Sequence, residues 1–315
     1  MHMVKCMIGM AVPSSNRQLR LRGLPEAPTW ILALAIYGGW GLLTWFDQAL
    51  PWWVVLPLGS WLIAWHMSLQ HEVIHGHPTR SARINAALGF APLSLWLPYE
   101  RYRQQHTTHH REEWLTDPAE DPESRYVTPA GWTASGPLAR TLLRVNNTLA
   151  GRLTIGPALA IAGFLRGEAV LLARGDRDAW TIWLTHGTAA GAVVAWVTLV
   201  CGIPLWAYAL LYVYPGFALA LVRSFAEHRA AVDSDHRTAI VERSPLFGLL
   251  FLHNNLHVVH HLRPDLPWYA IPAYYHANRD ALIARNGGLV YRGYGEVARR
   301  YLFTPHHQPP HPFTH

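Results

Sequence analysis

Charge is scarce in this sequence. Asp, Glu, Lys and Arg make up 15% of its 315 residues. Soluble domains average about a quarter, so the composition leans towards a membrane. Lysine is nearly absent: Lys5 is the only one, and the formal charge of +6 rests almost entirely on arginine. Cysteine is as rare. Two residues, Cys6 and Cys201, exclude a disulfide framework. A clean signal peptide is missing as well, because Met1 to Val12 has neither a clear apolar core nor a small-residue cleavage site. No repeat of 20–50 residues is visible, which excludes a solenoid or a propeller.

What is present is apolar and rich in two residue types. Half of the chain is hydrophobic, and it carries 15 Trp and 20 His. A basic segment with Arg17, Arg20 and Arg22 opens the chain over residues 1–28. Trp30 to Phe46 and Trp52 to Leu69 are apolar runs of near-spanning length, joined by the tight turn 47–51. Trp180 to Val200 and Pro204 to Val222 form a second such pair, joined by Cys201-Gly202-Ile203. Trp30, Trp45, Trp52 and Trp53 lie near the ends of their runs, where interfacial belts place aromatics. Ala86 to Leu97 is too short to span and reads as re-entrant or interfacial, while Ile155 to Leu172, broken by Arg166-Gly167-Glu168, reads as a helix on the membrane surface. The tail, Thr304 to His315, is rich in Pro and His and is expected to be poorly ordered. Neither turn carries Lys or Arg, so the positive-inside rule places both termini and the long middle region in the cytoplasm. The expectation is an all-α integral membrane protein. It has four transmembrane helices in two hairpins, with a cytoplasmic helical cap that holds a His-rich two-metal site.

The histidines fall into clusters. His71-Glu72-Val73-Ile74-His75 follows the second run and puts two imidazoles on one helical face. The same letters fit H-E-x-x-H, the zinc protease pattern in which the Glu is the base. His106-Thr107-Thr108-His109-His110 and His257-Val258-Val259-His260-His261 repeat an H-x-x-H-H pattern whose positions i, i+3 and i+4 converge. His228 follows the fourth run. Imidazole suits Fe, Zn, Cu and Ni. Nine imidazoles are too many for one metal and suit two metals with about four or five each.

Boxes of H-x3-H, H-x-x-H-H and H-x-x-H-H, with an extra His after the last run, resemble the membrane-bound fatty acid desaturase family over about Trp30 to Tyr301. That superfamily also holds hydroxylases, alkane monooxygenases, carotenoid ketolases and desaturase-like decarboxylases. The resemblance implies an O2-dependent oxidoreductase with two Fe ions, held by His71, His75, His106, His109, His110, His228, His257, His260 and His261. It implies O2 as co-substrate and a lipid or fatty acyl substrate, and desaturation is the reading placed first. The position one turn before the extra His, an Asn in acyl-CoA members, is Ser224 here. No His-Pro-Gly-Gly segment and no Cys-rich motif is present. Electrons are therefore expected from a separate donor of ferredoxin, rubredoxin or cytochrome type. The whole chain, 1–315, reads as one domain of this kind, in a bacterial inner membrane, with no nucleic-acid partner.

Other residues carry weaker signals. Glu72, Asn255, Asp117 and Glu227, with Asp121 and Asp265, are candidates to steady the imidazoles from behind, as ligating histidines usually require. The stretch 117–122 is turn chemistry first. His66 and His186 lie inside apolar runs and read as neutral, hydrogen-bonded to neighbouring helices; His77 points away from the first pair. His253 and His276 could lie behind the ligands. Arg101, Arg103, Arg111, Arg223 and Arg229 make a basic face that could hold an anionic headgroup or an acidic donor. A zinc protease and a non-enzymatic membrane metal carrier are the alternatives of other classes.

Overall fold

The structure is a computed structural model that describes residues 26–313. The basic N-terminal segment falls almost wholly outside the described residues. α1 (Ala27–Trp45) and α2 (Trp52–Ile74) form the first hairpin. At a rise of 1.5 Å per residue, α1 is roughly 28 Å long, about the thickness of a hydrocarbon core. α2 does not stop at the end of its apolar run. It continues through His71, and His75 is its C-cap.

α3 (Ala82–Gly89), capped by Ser81, leads into a non-helical stretch through Pro92 to α4 (Tyr99–His109). Residues 88–95 correspond to the expected re-entrant segment. Their carbonyls are met by side chains from four helices: Tyr37 Oη donates to Leu88 O, Gln70 to Gly89 O at 2.8 Å, Tyr208 to Leu93 O at 2.7 Å and His186 to Leu95 O at 2.9 Å. Irregular backbone at membrane depth is tolerated when protein groups satisfy it in this way.

Three short helices follow: α5 (Pro129–Ala134), α6 (Pro137–Asn146) and α7 (Leu149–Thr154). Then come α8 (Gly156–Ala173) and α9 (Arg177–Ala195), the latter extended by a π-helical turn over Trp196–Val200. α10 (Leu205–Tyr208) runs through a second π-helical turn, Ala209–Val213, into α11 (Tyr214–Glu227). Beyond it, β1 (Ile240–Val241), α12 (Pro245–Leu250), α13 (His257–Leu262), α14 (Ile271–Arg285), β2 (Val290–Tyr291) and α15 (Tyr294–Tyr301) complete the cap. β1 and β2 pair in parallel and are the only strands among the described residues.

Among the described residues, four helices are long and apolar enough to cross a membrane: Ala27–Trp45, Gly156–Ala173, Arg177–Val200 and Leu205–Glu227. The number matches the expectation. By length and composition alone this set includes α8, expected on the membrane surface, and leaves out α2, whose Pro57, His66 and tryptophans dilute its aliphatic content. α2 nevertheless runs from the hairpin turn to the histidine end, as a second span would. Both ends of α8 lie towards the histidine end: Gly156 packs beside Leu221 in the last two turns of α11, and Ala173 leads into the start of α9, where Asp178 meets Gln104. Arg166 and Glu168 do not break α8, which runs through both; Glu168 is buried against Arg101 at 2.9 Å. Outward-facing Trp30, Leu34, Trp52, Trp53, Leu184 and Leu199 leave an apolar perimeter around the helices that suits lipid rather than water.

Helix association in lipid depends on close packing rather than on a hydrophobic driving force. α2 and α11 achieve it with glycine. A Cβ on Gly59 would lie 2.6 Å from the Tyr212 ring, and one on Gly216 would lie 2.6 Å from Ile63. The two hairpin turns meet at one end, where Tyr212 donates to Asp47 at 2.7 Å and Gln48 approaches Gly202 O at 3.4 Å. At the other end α2 and α11 deliver His75 and His228, and Gln104 of α4 donates to Asp178 at the start of α9. All four His-bearing segments therefore gather at the end opposite the turns.

The tail is not loose. The described part is pinned to the cap: His306 N donates to Asn147 O at 2.7 Å, Tyr291 Oη lies 2.9 Å from His306 Nε2, and His311 N donates to Val127 O at 2.9 Å. His306 and His311 are buried. The proline content that suggests disorder instead suits an extended strand laid along Val127.

Candidate metal centres

The nine expected histidines come together in two groups. His71, His75, His106, His110 and His260 form the first, and His109, His228, His257 and His261 the second, with candidate ligand atoms within 4.8 Å of one another in each. Helical spacing explains the division of the second box. His106 and His110 are one turn apart and face the first group, while His109 faces the second. In the third box, His257 and His261 are the pair one turn apart, and His260 turns to the first group. Each H-x-x-H-H box thus gives two imidazoles to one group and one to the other, rather than all three to one point as the convergence of i, i+3 and i+4 suggests. Six of the nine are buried; His75, His110 and His228 are half-buried.

Hydrogen bonds fix several tautomers. His106 Nδ1 lies 2.8 Å from Glu123, His109 Nδ1 2.9 Å from Asp121, and His228 Nδ1 3.3 Å from Arg237 O. His257 Nδ1 lies 3.0 Å from Asn254 Oδ1, and Asn254 Nδ2 donates to Glu227 at 3.2 Å, which fixes the amide's orientation. These acceptors cannot donate, so each Nδ1 carries the hydrogen and each Nε2 presents a lone pair.

Those lone pairs face one another at close range. In the second group Nε2 of His228 lies 3.1 Å from that of His109 and 2.8 Å from that of His257, and His257 lies 3.1 Å from His261. In the first group, where only His106 has its tautomer fixed, the Nε2 separations are as short: His75–His106 is 2.9 Å, His106–His110 3.0 Å and His110–His260 2.9 Å. Two lone pairs at such distances repel unless a cation lies between them. Nitrogens about 2.1 Å from one metal and about 90° apart are about 3.0 Å from each other, whereas tetrahedral spacing separates them by about 3.4 Å. The residues therefore fit a metal with near-right-angle ligands better than a tetrahedral zinc.

Electrostatics agree with neutral ligands. Burial, and then the neighbouring imidazoles, hold His75, His228, His257, His260 and His261 well below the usual histidine range. His106 and His110 are lowered for the same first reason. Burial also disfavours charge on His109, but Glu123 and Asp121 outweigh it and raise its pKa. Burial likewise works against the Glu123 carboxylate, and His109 and His106 reverse it, so the acid stays ionised.

The other sequence candidates divide. Glu227 lies 3.3 Å from His257 Nδ1 and is held by Arg223 at 3.2 Å. Asp121, foreseen among the acids, holds His109. Asp117 caps the turn over Ala119 and Glu120 and touches no box histidine. Asn255 donates to Val241 O; its neighbour Asn254 is the amide that meets a box imidazole. Glu72 accepts from Trp268 N at 3.0 Å and groups with Glu26 and His77, apart from both imidazole groups. It therefore lacks the place of a zincin's base. His77 is buried and paired with Glu26 at 2.8 Å. His66 meets Tyr37 at 3.2 Å and His186 meets Leu95 O, as expected of neutral core histidines. Asp265 pairs with Arg263. Of the basic face, Arg101, Arg103 and Arg223 are already held by Glu168, Glu100 and Glu227. Glu123 was not foreseen; its one signal is that it closes the acidic turn after the second box.

The model of the family described as Fatty acid desaturase matches residues 47–294, well over half of the chain and all nine histidines. No curated protein matches the chain.

Proposed function

The chain belongs to the fatty acid desaturase family, and from that premise we propose that it is a membrane-bound, O2-dependent oxidoreductase that desaturates a long acyl chain at a centre of two irons. The observation that carries the reading is the set of short Nε2 separations, above all His228–His257, where both partners have fixed Nδ1 hydrogens and burial keeps both rings neutral. The first iron falls to His71, His75, His106, His110 and His260, and the second to His109, His228, His257 and His261.

Bound iron supplies the redox chemistry by which O2 is used to remove hydrogen from an unactivated methylene pair. The balance is one O2, two electrons, two protons and R–CH2–CH2–R′ giving R–CH=CH–R′ and two waters. The chain's own residues hold and orient. Glu123, Asp121, Asn254 and the Arg237 carbonyl keep four rings in the tautomer that offers Nε2 to the metal. Half-buried His75 and His110 border the side from which O2 and substrate approach. The apolar perimeter of the helices suits a lipid substrate arriving from the bilayer. Electrons come from a separate small redox protein. The loops that bear the arginines lie with the boxes on the cytoplasmic side of a bacterial inner membrane, and residues 1–315 act as one such unit.

The test is expression in membranes of a host of known lipid composition, with acyl-chain and hydrocarbon profiling beside a His260→Ala control. The expected result is new double bonds that vanish in the control, with two iron equivalents in the purified protein. Unchanged acyl chains with a new hydroxylated, ketonic or shortened product reassign the reaction to a hydroxylase, ketolase or decarboxylase. Zinc at one equivalent overturns the two-iron reading.

A further inference from the structure

A second polar centre lies away from the histidine groups, where α6, α7, α8 and the tail meet. Arg152 of α7 is 4% exposed, and its Nε and Nη2 are buried with no acceptor. Arg125 Nη1, in the loop after the second box, is buried without a partner too, and so are His307 Nε2 and Asn146 Oδ1. A Cβ built on Gly156, where α8 begins, would lie 3.2 Å from both Arg152 Cδ and Asn146 Oδ1. The tail closes over this place: Ala150 N donates to Leu302 O at 3.0 Å, Asn147 Nδ2 donates to His307 O at 3.2 Å, and the His307 ring packs 4.2 Å from Tyr126.

The two guanidinium groups act on each other without a free counter-ion, and the tail histidines beside them are kept neutral. Burial, then Arg125, pulls Arg152 well below the guanidinium range. Burial, then Arg125, lowers both His306 and His307, with Arg152 acting in the same sense. The carboxylate that most influences Arg125 is Glu227, and Arg223 and Asn254 already hold it. Among the described residues, no acid meets Arg152. Outside them, residues 1–25 contain no Asp or Glu. A guanidinium taken out of water without an acceptor is costly, and two that repel are costlier.

The unpartnered atoms specify the ligand. Nε and Nη2 form one edge of the guanidinium, the edge that meets two oxygens of a planar or tetrahedral oxyanion side by side. Arg125 Nη1 adds a donor from the loop, and His307 Nε2 adds one from the tail in the tautomer whose Nδ1 accepts from His306 at 3.2 Å. We propose that Arg152, Arg125 and His307 form a buried oxyanion site that holds a phosphate or carboxylate group at the foot of α8. The group belongs to an amphiphile whose tail runs along α8, or it is a free ion; the site chemistry is the same. The site does not depend on the metal centres or on the reaction assigned to them.

The full chain in a neutral maltoside detergent is the material for the test. Thermal unfolding is followed with inorganic phosphate, with dodecyl phosphate doped into the micelles, and with chloride at matched ionic strength. The expected result is a rise in Tm of roughly 2–4 °C with phosphate or dodecyl phosphate and none with chloride. A rise with dodecyl phosphate alone identifies a headgroup; a rise with both shows that the free ion suffices. Arg152→Gln removes the rise, whereas exposed Arg299→Gln keeps it. If Arg152→Gln does not fold, Arg125→Gln takes its place, and line broadening of the 31P signal by the unaltered chain, reversed by sulfate, reads binding directly. No rise and no broadening with either probe, or an equal rise in the arginine variants that fold, overturns the proposal.

Discussion

The two histidine groups use the same side chain and differ in what stands behind it. The first has five imidazoles, of which His106 alone has a hydrogen bond from Nδ1 to a carboxylate or carbonyl among the described contacts. The second has four, and three of them are steadied: His109 by Asp121, His228 by the Arg237 carbonyl and His257 by Asn254. One site relies on the number of ligands and the other on their orientation. A ring locked from behind loses little freedom on binding metal, while a surplus of unlocked rings tolerates the movement that substrate and O2 impose. The first group also holds two of the three half-buried histidines, so the looser site is the one nearer its surroundings.

The largest effect expected is from removing a ligand on each side of this comparison. His257→Ala and His260→Ala each abolish turnover, by about three orders of magnitude or more if the metal supplies the chemistry. Metal analysis distinguishes them: each variant retains one equivalent, and the second group, with only four ligands, loses its metal more completely. Loss of both equivalents in either variant means that the two groups are a single unit and breaks the comparison.

Next come the acids behind the rings. Asp121→Asn lowers metal affinity at the second group by about 10–100-fold while leaving the first unchanged. Glu123→Gln has its main effect at the first, through His106. Chelator titration of the two variants reads the difference. Asp121 also accepts from Thr116 N and Glu123 N, so its variant is the less stable of the two. Equal effects of both variants on both metals contradict the division.

Asn254 sharpens the contrast at a lower level. Its amide lies 3.0 Å from His257 Nδ1 on one side but 3.5 Å from His71 Nε2 on the other, at the limit of a useful hydrogen bond. Asn254→Ala is expected to weaken the second metal about tenfold and to leave the first unaffected, by the same titration.

The smallest effect lies outside both groups and sets the baseline for any acid-induced loss of metal. Burial, with Arg125, lowers His306 from 6.5 to about 3. The unfolded or undocked tail therefore takes up a proton first. The docking that His306 supports is fully present above about 6.5 and weakens as pH falls from there towards 3. Amide protection factors over residues 304–311, taken relative to the intrinsic exchange rate at each pH, should fall across that window, and His306→Gln should flatten the dependence. Protection factors that are unchanged between pH 7 and 5 show that the tail is held elsewhere.

Much of this was legible in the sequence because it is local. Two histidines four apart share a helical face whatever the fold, and an apolar run next to a short uncharged turn makes a hairpin. The partition of the H-x-x-H-H boxes was not legible: convergence of i, i+3 and i+4 suggests three imidazoles aimed at one point, whereas each box divides two and one between the groups. The pairings that steady the rings were less legible. Glu123 lies 2.8 Å from a histidine 17 positions before it, and nothing in the intervening acids marks it out from Asp117. Asn254 and Asn255 are neighbours of one type, and only the backbone near Val241 decides which turns inward. The continuity of α8 was hard to read because Arg166 and Glu168 look like breaks in an apolar run, and the buried partner of Glu168, Arg101, is distant in sequence. Tail docking and the Glu26–His77 pair depend on contacts between distant parts of the chain, which composition does not encode.

The facing Nε2 atoms have one more consequence, for how the chain is tied together. A protein with two cysteines has no disulfide cross-links to rely on. The second group joins α4, α11 and α13, and the first joins α2, α4 and α13. With metal bound, these segments would become two multivalent cross-links, each closing one loop of more than a hundred residues, His110 to His260 and His109 to His228, and the longer the loop the more entropy its closure removes from the unfolded chain. The hairpin turns fasten the helices at one end, and ions bound between the imidazoles would fasten them at the other.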